Sequence, residues 1–266
     1  MVSQEPPAKK SLQDRNFDHL VEKFEQKVYG TVKGDWRLKL LKEDLQALHD
    51  HPSPLKVWDA GCGLGQISHW LAQAGHQLTL CDLSQQMLYK AQQRFAEAQL
   101  EATFLQGAAQ NLADQLPEFD WVLFHAVLEW LAEPQATLER VAQKVKLGGY
   151  LSLLFYNRNA LVYTNALKGE WRWQHLLEDA YIGKGKKLTP PNPQYPEVVI
   201  GWLEAQGFEI EIQTGIRVFY DYLSQEVLEK SNLEELFALE YRYCRQPTYR
   251  HMGRYLHLLA KRVSHE

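Results

Sequence analysis

The stretch LKVWDAGCGLG at residues 55–65 constrains this chain more than any other. A short apolar run enters a glycine-rich turn, and a helical pattern begins at once, from Gln66 to Ala74. Gly61, Gly63 and Gly65 are spaced G-x-G-x-G. A turn this sharp needs positive φ or a missing side chain, and glycine supplies both. Bare backbone also admits a ligand close to the chain, with the N-terminus of the next helix behind it. The dinucleotide fingerprint is G-x-G-x-x-G with an acid about 20 residues on. Here the third glycine comes one residue early, which counts against a nicotinamide dehydrogenase. An acid, Asp59, precedes the turn, and a second apolar run, LTLCD, ends in Asp82, 21 residues after Gly61. A carboxylate at that strand end is placed to accept both hydroxyls of a ribose.

Strand, short glycine turn, helix, strand and terminal acid in this register resemble the first motifs of the class I S-adenosylmethionine-dependent methyltransferases. That resemblance implies an α/β fold with a Rossmann-like, mostly parallel seven-stranded sheet flanked by helices. The rest of the chain alternates accordingly. Ser84 reads as the N-cap of a helix to about Ala98, with Met87 and Leu88 inward. Strands follow at 102–106, 119–124 and 146–157, with a helix from about Pro134 to Val145 between the last two. Strands alternating with helices imply parallel pairing through right-handed crossovers. Before the turn, helical spacing covers Asn16–Val28 and Asp35–His49, a plausible lid. Beyond residue 157 the pattern loosens: a helix at 157–167, the exposed-looking Trp171-Arg172-Trp173, a Pro/Gly/Lys loop at 181–196 and a helix at 196–206. A β run at 208–219 interrupted by Gly215, a helix at 225–243 and a last strand at 253–262 complete the chain. The expected organisation is a disordered tail at 1–11, N-terminal helices at 12–51 and a methyltransferase domain at 52–266, with substrate-binding insertions at about 157–206 and 219–252.

A length of 266 residues and 45% hydrophobic content suit one large α/β unit. The formal net charge of -4 excludes bulk polyanion binding, so a nucleic-acid role needs a local basic face. Cys62, Cys81 and Cys244 form no metal clip and no disulfide framework, which points to a reducing compartment. No apolar run of 18 residues exists, and the start lacks an apolar signal core, so the expected location is the cytoplasm, with no membrane partner.

The carboxyl ends of the strands gather Gly61, Asp82, Ala109, Gln110 and His125 around one cleft. His125 reads as pocket wall, general base or structural histidine. Methyl transfer needs alignment, worth roughly 7–11 kcal/mol when both reactants are held at attack geometry. A carboxylate acceptor is already ionised and needs only a cationic cradle. No Asp/Asn-Pro-Pro-Tyr/Phe run follows the fourth strand, which argues against base amino-group methylation. Tyr241–Arg262 holds six Lys/Arg and no acid, with tyrosines interleaved. Cations with flat rings are how single-stranded RNA is gripped, although a solvated face has the same composition.

QDRNFD (13–18), YGTVKG (29–34), CDLSQQM (81–87), LFHAVLEW (123–130), LSLLFYN (151–157), TGIRVFYDYL (214–223) and RYCRQPTYRHMGRYLH (242–257) together resemble the family of bacterial tRNA 5-carboxymethoxyuridine methyltransferases. The resemblance spans about residues 12–262. It implies esterification of the carboxylate of the modified wobble uridine, with S-adenosylmethionine as cofactor, no metal, and the tRNA anticodon stem-loop, not DNA, as partner. By position it implies cofactor contacts at Arg37, Gly61, Cys62, Asp82, Ala109, Gln110 and His125, to which the inward Met87 is added. Candidates for orienting the carboxylate are Arg217, Tyr222, Arg242 and Arg245. Candidates for holding RNA are Tyr29, Lys33, Lys184, Lys186, Lys187, Arg245, Arg250 and Arg254. The competing readings are a methyltransferase for a small carboxylic acid and a non-catalytic tRNA-binding protein that retains the cofactor.

Overall fold

The computed structural model describes residues 13–21, 30–179 and 190–264. The tail at 1–11, Tyr29 and the lysines at 184, 186 and 187 lie outside the described residues. Of the helix expected at Asn16–Val28, the described part is a 3-10 turn at Asp18–Leu20 followed by Val21.

Helix α1 covers Val32–Asp44. It starts before the expected Asp35 because the Thr31 hydroxyl accepts from the Gly34 amide at 3.3 Å and caps it. Leu45 leaves helical geometry, so the expected continuation to His49 is a separate turn at Gln46–His49. The αβ pattern then runs as expected, with one short helix added, α4: β1 (Lys56–Ala60), α2 (Gln66–Gln73), β2 (Gln77–Asp82), α3 (Gln85–Glu97), β3 (Thr103–Gln106), α4 (Ala109–Ala113), β4 (Phe119–His125), α5 (Pro134–Ala142) and β5 (Val145–Tyr156). After β5 come α6 (Arg158–Ala166), α7 (Pro196–Glu204), β6 (Phe208–Ile216), α8 (Gln225–Lys230), α9 (Leu233–Tyr243) and β7 (Tyr255–Arg262). The strands form one seven-stranded sheet in the order β3-β2-β1-β4-β5-β7-β6. β1 to β5 pair in parallel, and β7 enters antiparallel between β5 and β6. Strand order reverses between β1 and β4, and a ligand crevice forms at such a switch point.

Period-two alternation divides the side chains between two cores. Val122, Phe124, Leu153, Phe155, Leu256 and Leu258 pack under α5 and α7. Trp121, Leu123, Leu154 and Leu259 pack under α1, α2 and α3. The second face also carries buried polar residues, Asp59, Ser152 and His257. Among the described residues no helix is long and apolar enough to cross a membrane.

Two expectations beyond β5 change. The single helix at 225–243 is two, because the Asn232 side chain accepts from the amides of Glu234 and Glu235 and starts a new helix after the extended Ser231. Gly215 does not interrupt β6. A Cβ there would lie 2.3 Å from the Arg250 carbonyl oxygen, and one at Gly253 would lie 2.6 Å from the Gly215 Cα. The glycines let two chain segments touch.

Replacing Gly215 by alanine is therefore expected to cost about 1–3 kcal/mol by overpacking. Gly201, inside α7 with no atom within 4 Å of its would-be Cβ, is the contrast. Gly201→Ala is expected to gain roughly 0.5–1 kcal/mol in denaturant unfolding.

Candidate active site

A cleft opens at the carboxyl ends of β1, β2 and β4. Arg37, Gly61, Cys62, Asp82, Met87, Ala109, Gln110 and His125, the eight cofactor candidates, all line it. The glycine turn is built by close approach. Gly61 has φ +99, and a Cβ on it would stand 2.4 Å from Val127 Cγ2. The Gly61 and Cys62 amides both donate to the Cys81 carbonyl and lock the turn to β2. Gly65, at φ +66, delivers the chain into α2. Burial pushes the Cys62 thiol well above its ordinary pKa, so a neutral side chain packs there. Met87 packs with Val21 and Leu64 as an apolar wall.

Two carboxylates face this turn. Asp82 accepts from the Gly63 amide on one oxygen and the Ser84 amide on the other, each at 2.8 Å. Burial raises its pKa and those amides partly offset the rise. Each oxygen keeps a lone pair for further donors. Asp59 accepts from the Ser68 hydroxyl at 2.5 Å, and burial pushes it up to about 7.

The N-terminal segment is pinned across the cleft by Asp14. One Asp14 oxygen accepts from the Gln110 side-chain amide at 2.6 Å and the other from the Ala132 amide at 2.8 Å. Phe17 meets Trp130 edge-on at 5.0 Å, and the Arg15 guanidinium lies over both rings. With its amide nitrogen held by Asp14, Gln110 keeps its carbonyl oxygen for other donors. Asp14 and Trp130 were not among the site residues read from the sequence. They lie in stretches singled out only by the family resemblance.

Beside the cleft, at the ends of β5 and β6 and the start of β7, stands a cationic cluster. Asp221 accepts from Lys33 Nζ at 2.7 Å and Arg217 Nε at 2.7 Å, with Arg254 Nε at 3.4 Å. Burial acts to raise the Asp221 pKa, but the Arg217, Arg254 and Lys33 charges hold it far below the carboxylate range. Arg254 also donates to the Tyr156 hydroxyl at 3.0 Å. Tyr156 and Tyr255 meet edge-on at 5.3 Å, and Arg37 and Arg217 lie 5.7 and 5.5 Å from the Tyr255 ring centre. The Tyr222 hydroxyl donates to the Met252 carbonyl, and its ring meets Tyr163. The fully buried Glu129 carboxylate has no hydrogen-bond partner among the described residues. Burial pushes it from an ordinary 4.5 up to about 7, offset only in part by nearby amides and Arg37.

The basic candidates do not share one surface. Arg217, buried, and Arg254, partly buried, stand around Asp221. Arg245 donates to Asp44 at 2.7 and 3.1 Å and is only one-third exposed. Arg242 is exposed on α9 with its charge over Tyr243. Arg250 is half-buried with its backbone against Gly215. The basic candidates therefore do not amount to one basic face here, because buried acids hold three of them, Arg217, Arg245 and Arg254.

Fold and site together define a class I S-adenosylmethionine-dependent methyltransferase. The methyltransferase domain family matches residues 58–153. The magnesium protoporphyrin IX methyltransferase from Synechocystis PCC 6803, solved with bound S-adenosylhomocysteine, superposes with TM-score 0.61 at 19% identity, over 92% of this chain and 95% of that one. The tRNA 5-carboxymethoxyuridine methyltransferase of Escherichia coli K12 is 42% identical over 94% of this chain and 97% of its own length. A ubiquinone biosynthesis O-methyltransferase from Photorhabdus laumondii is 26% identical over 71% of the chain and 75% of its own length. The chain belongs to the tRNA 5-carboxymethoxyuridine methyltransferase family.

Glu129 makes stability pH-dependent. Between about pH 4.5 and 7 the unfolded chain releases a proton that the folded protein keeps, so Glu129 lowers stability as pH rises through that window. Glu129→Gln is expected to gain on the order of 2 kcal/mol over the parent at pH 8 and little at pH 4, measured by denaturant unfolding at both. Asp82→Asn is expected to weaken S-adenosylmethionine binding roughly 10- to 100-fold in titration calorimetry, since a carboxylate with two spare lone pairs becomes an amide.

Proposed function

We propose that this protein esterifies the carboxylate of 5-carboxymethoxyuridine at wobble position 34 of tRNA, giving 5-methoxycarbonylmethoxyuridine, and that it works on the anticodon stem-loop in the cytoplasm. S-adenosylmethionine supplies a methyl group activated by its sulfonium charge. The residues of the cleft fit that molecule. Asp82 holds the ribose hydroxyls with its spare lone pairs. Gln110 offers its backbone N–H and its carbonyl oxygen to the adenine edge. The Gly61 and Cys62 backbone and the Ala109 and Met87 walls shape the cleft, Arg37 takes the methionine carboxylate, and His125 forms the wall beside it.

The observation that carries the substrate reading is the cluster around Asp221. Lys33, Arg217 and Arg254 outnumber Asp221, and burial keeps Glu129 partly protonated near pH 7, so this end of the sheet favours an anion. A carboxylate acceptor is already a nucleophile and needs no base. Arg217 and Arg254, with Tyr222 and Lys33, aim it, and the surrounding aromatic rings exclude water. This reading takes Arg242 and Arg245 out of the cradle.

Outside the cradle, Trp171 and Trp173 are half to two-thirds exposed. Their indole N–H groups are tied to the Lys168 and Ala166 carbonyls, and the Arg172 guanidinium lies 3.8 Å over the Trp171 ring, which leaves the other face of Trp171 and the Trp173 ring for unstacked bases. Tyr163, which contacts Tyr222, leads from these rings to the cradle.

Transfer of labelled methyl to tRNA from cells lacking this activity is expected to mark the wobble uridine, with mild alkali releasing the label as methanol. Label that survives alkali rules out an ester. Salt-insensitive turnover of a small acid favours the small-molecule reading instead. Labelled donor that binds but is never consumed favours the non-catalytic one. Arg254→Ala is expected to lower kcat/KM roughly 10- to 100-fold with cofactor affinity unchanged. Trp171→Ala is expected to raise KM for tRNA roughly 5-fold or more.

A further inference from the structure

A line of buried hydrogen bonds runs from α9 to the wall of the cleft and takes no part in the function described above. Arg245 donates to one oxygen of Asp44, and His257 Nδ1 lies 2.7 Å from the other. His257 Nε2 lies 2.9 Å from Ser152 Oγ, which lies 2.7 Å from His125 Nε2. Asp44, Ser152 and His257 are all at least 94% buried. They come from α1, β5 and β7, and the line ends at the cleft-lining end of β4.

We propose that Asp44, His257 and Ser152 are positioning residues that hold His125 as its Nε2–H tautomer, leaving a bare Nδ1 toward the cleft. Hydrogen-bond valence assigns each proton. Burial acts to raise the Asp44 pKa, but His257 and Arg245 hold it below the ordinary range, so Asp44 is an acceptor on both oxygens. His257 Nδ1 therefore carries a hydrogen. His257 is wholly buried with Asp44 as its one ion-pair partner among the described residues, and an imidazolium there would be costly to desolvate, so the assignment takes it in the neutral form with Nε2 bare. That nitrogen accepts from the Ser152 hydroxyl. With its one proton committed, Ser152 Oγ accepts from His125 Nε2–H. Burial and the Arg37 charge keep His125 neutral by pushing its pKa well below its ordinary value. Its remaining nitrogen is an acceptor.

The charged groups set against this seam are Asp44 and Arg37 from α1, Arg245 after α9, and Glu43 of α1, which lies 3.6 Å from Arg245 at the outer end. A bare ring nitrogen in the wall suits the cationic end of S-adenosylmethionine, which presents an ammonium and C–H groups polarised by the sulfonium. An Nδ1–H would instead turn a positive hydrogen toward that charge. The inference rests on the methyl-donor class and not on the tRNA substrate, so a failed tRNA assay leaves it standing.

Long-range proton–nitrogen NMR on 15N-histidine-labelled, cofactor-free protein reads the tautomer directly, with His125→Gln identifying the signal. The expected spectrum has a protonated Nε2 and a bare Nδ1 for His125. Ser152→Ala, a small truncation, is expected to give a mixed tautomer. It is also expected to weaken S-adenosylmethionine binding roughly three- to tenfold, with a smaller loss for S-adenosylhomocysteine, which lacks the sulfonium charge. A parent His125 protonated on Nδ1 overturns the proposal without any variant. An unchanged tautomer in Ser152→Ala, or equal losses for the two cofactor forms, also overturns it.

Discussion

The pairing of β7 with β5 is the interaction on which the site depends. Residues Tyr150–Tyr156 pair with Tyr255–Lys261 in antiparallel register. Because β7 runs against its neighbour, it begins at the end of the sheet where the parallel strands finish and ligands sit. A segment about 100 residues downstream of β5 thus enters the molecule beside the cleft. Tyr255 meets Tyr156, Arg254 reaches the Tyr156 hydroxyl, and His257 reaches Ser152. A parallel strand in this place would deliver the same residues to the opposite end.

This arrangement buries much charge, which is costly unless each group is paired. Two carboxylates organise the pairing. Asp221 gathers Lys33, Arg217 and Arg254 from three parts of the chain. Asp44 gathers Arg245 and His257. Both acids stay ionised because their partners outweigh burial, whereas Glu129 and Asp59, with weaker partners, are pushed up to about 7. One end of the sheet thereby holds a surplus of positive charge next to a cleft whose own acids are buried. That contrast fits the proposed pairing of a cationic donor with an anionic acceptor in a single crevice.

The chain itself announced the cleft at the carboxyl ends of β1 and β2. The glycine turn, Asp59, Asp82, the Ser84 cap and Pro134 and Pro196 at their helix starts are local devices, set by backbone geometry within a few residues. The structure has them where their spacing implied. Errors gathered where local pattern competes with a side-chain cap or a distant contact. Helical periodicity ran on through Ser231, but the Asn232 side chain restarts the helix. Gly215 read as a break, yet it serves a close approach to Arg250, 35 residues away.

What the sequence by itself determined is the αβ alternation, the cofactor turn and the acid facing it, since each follows from neighbouring residues. Only the tertiary structure decided what the basic C-terminal residues do. Arg245 and Arg254 look alike in the chain, and so do Arg217 and Arg242. One is tied to Asp44, two surround Asp221, and one stays exposed beside Tyr243. The physical reason is that a guanidinium's role is set by the nearest carboxylate, and in this fold that carboxylate, Asp44 for Arg245 and Asp221 for Arg254, can lie 201 or 33 residues away.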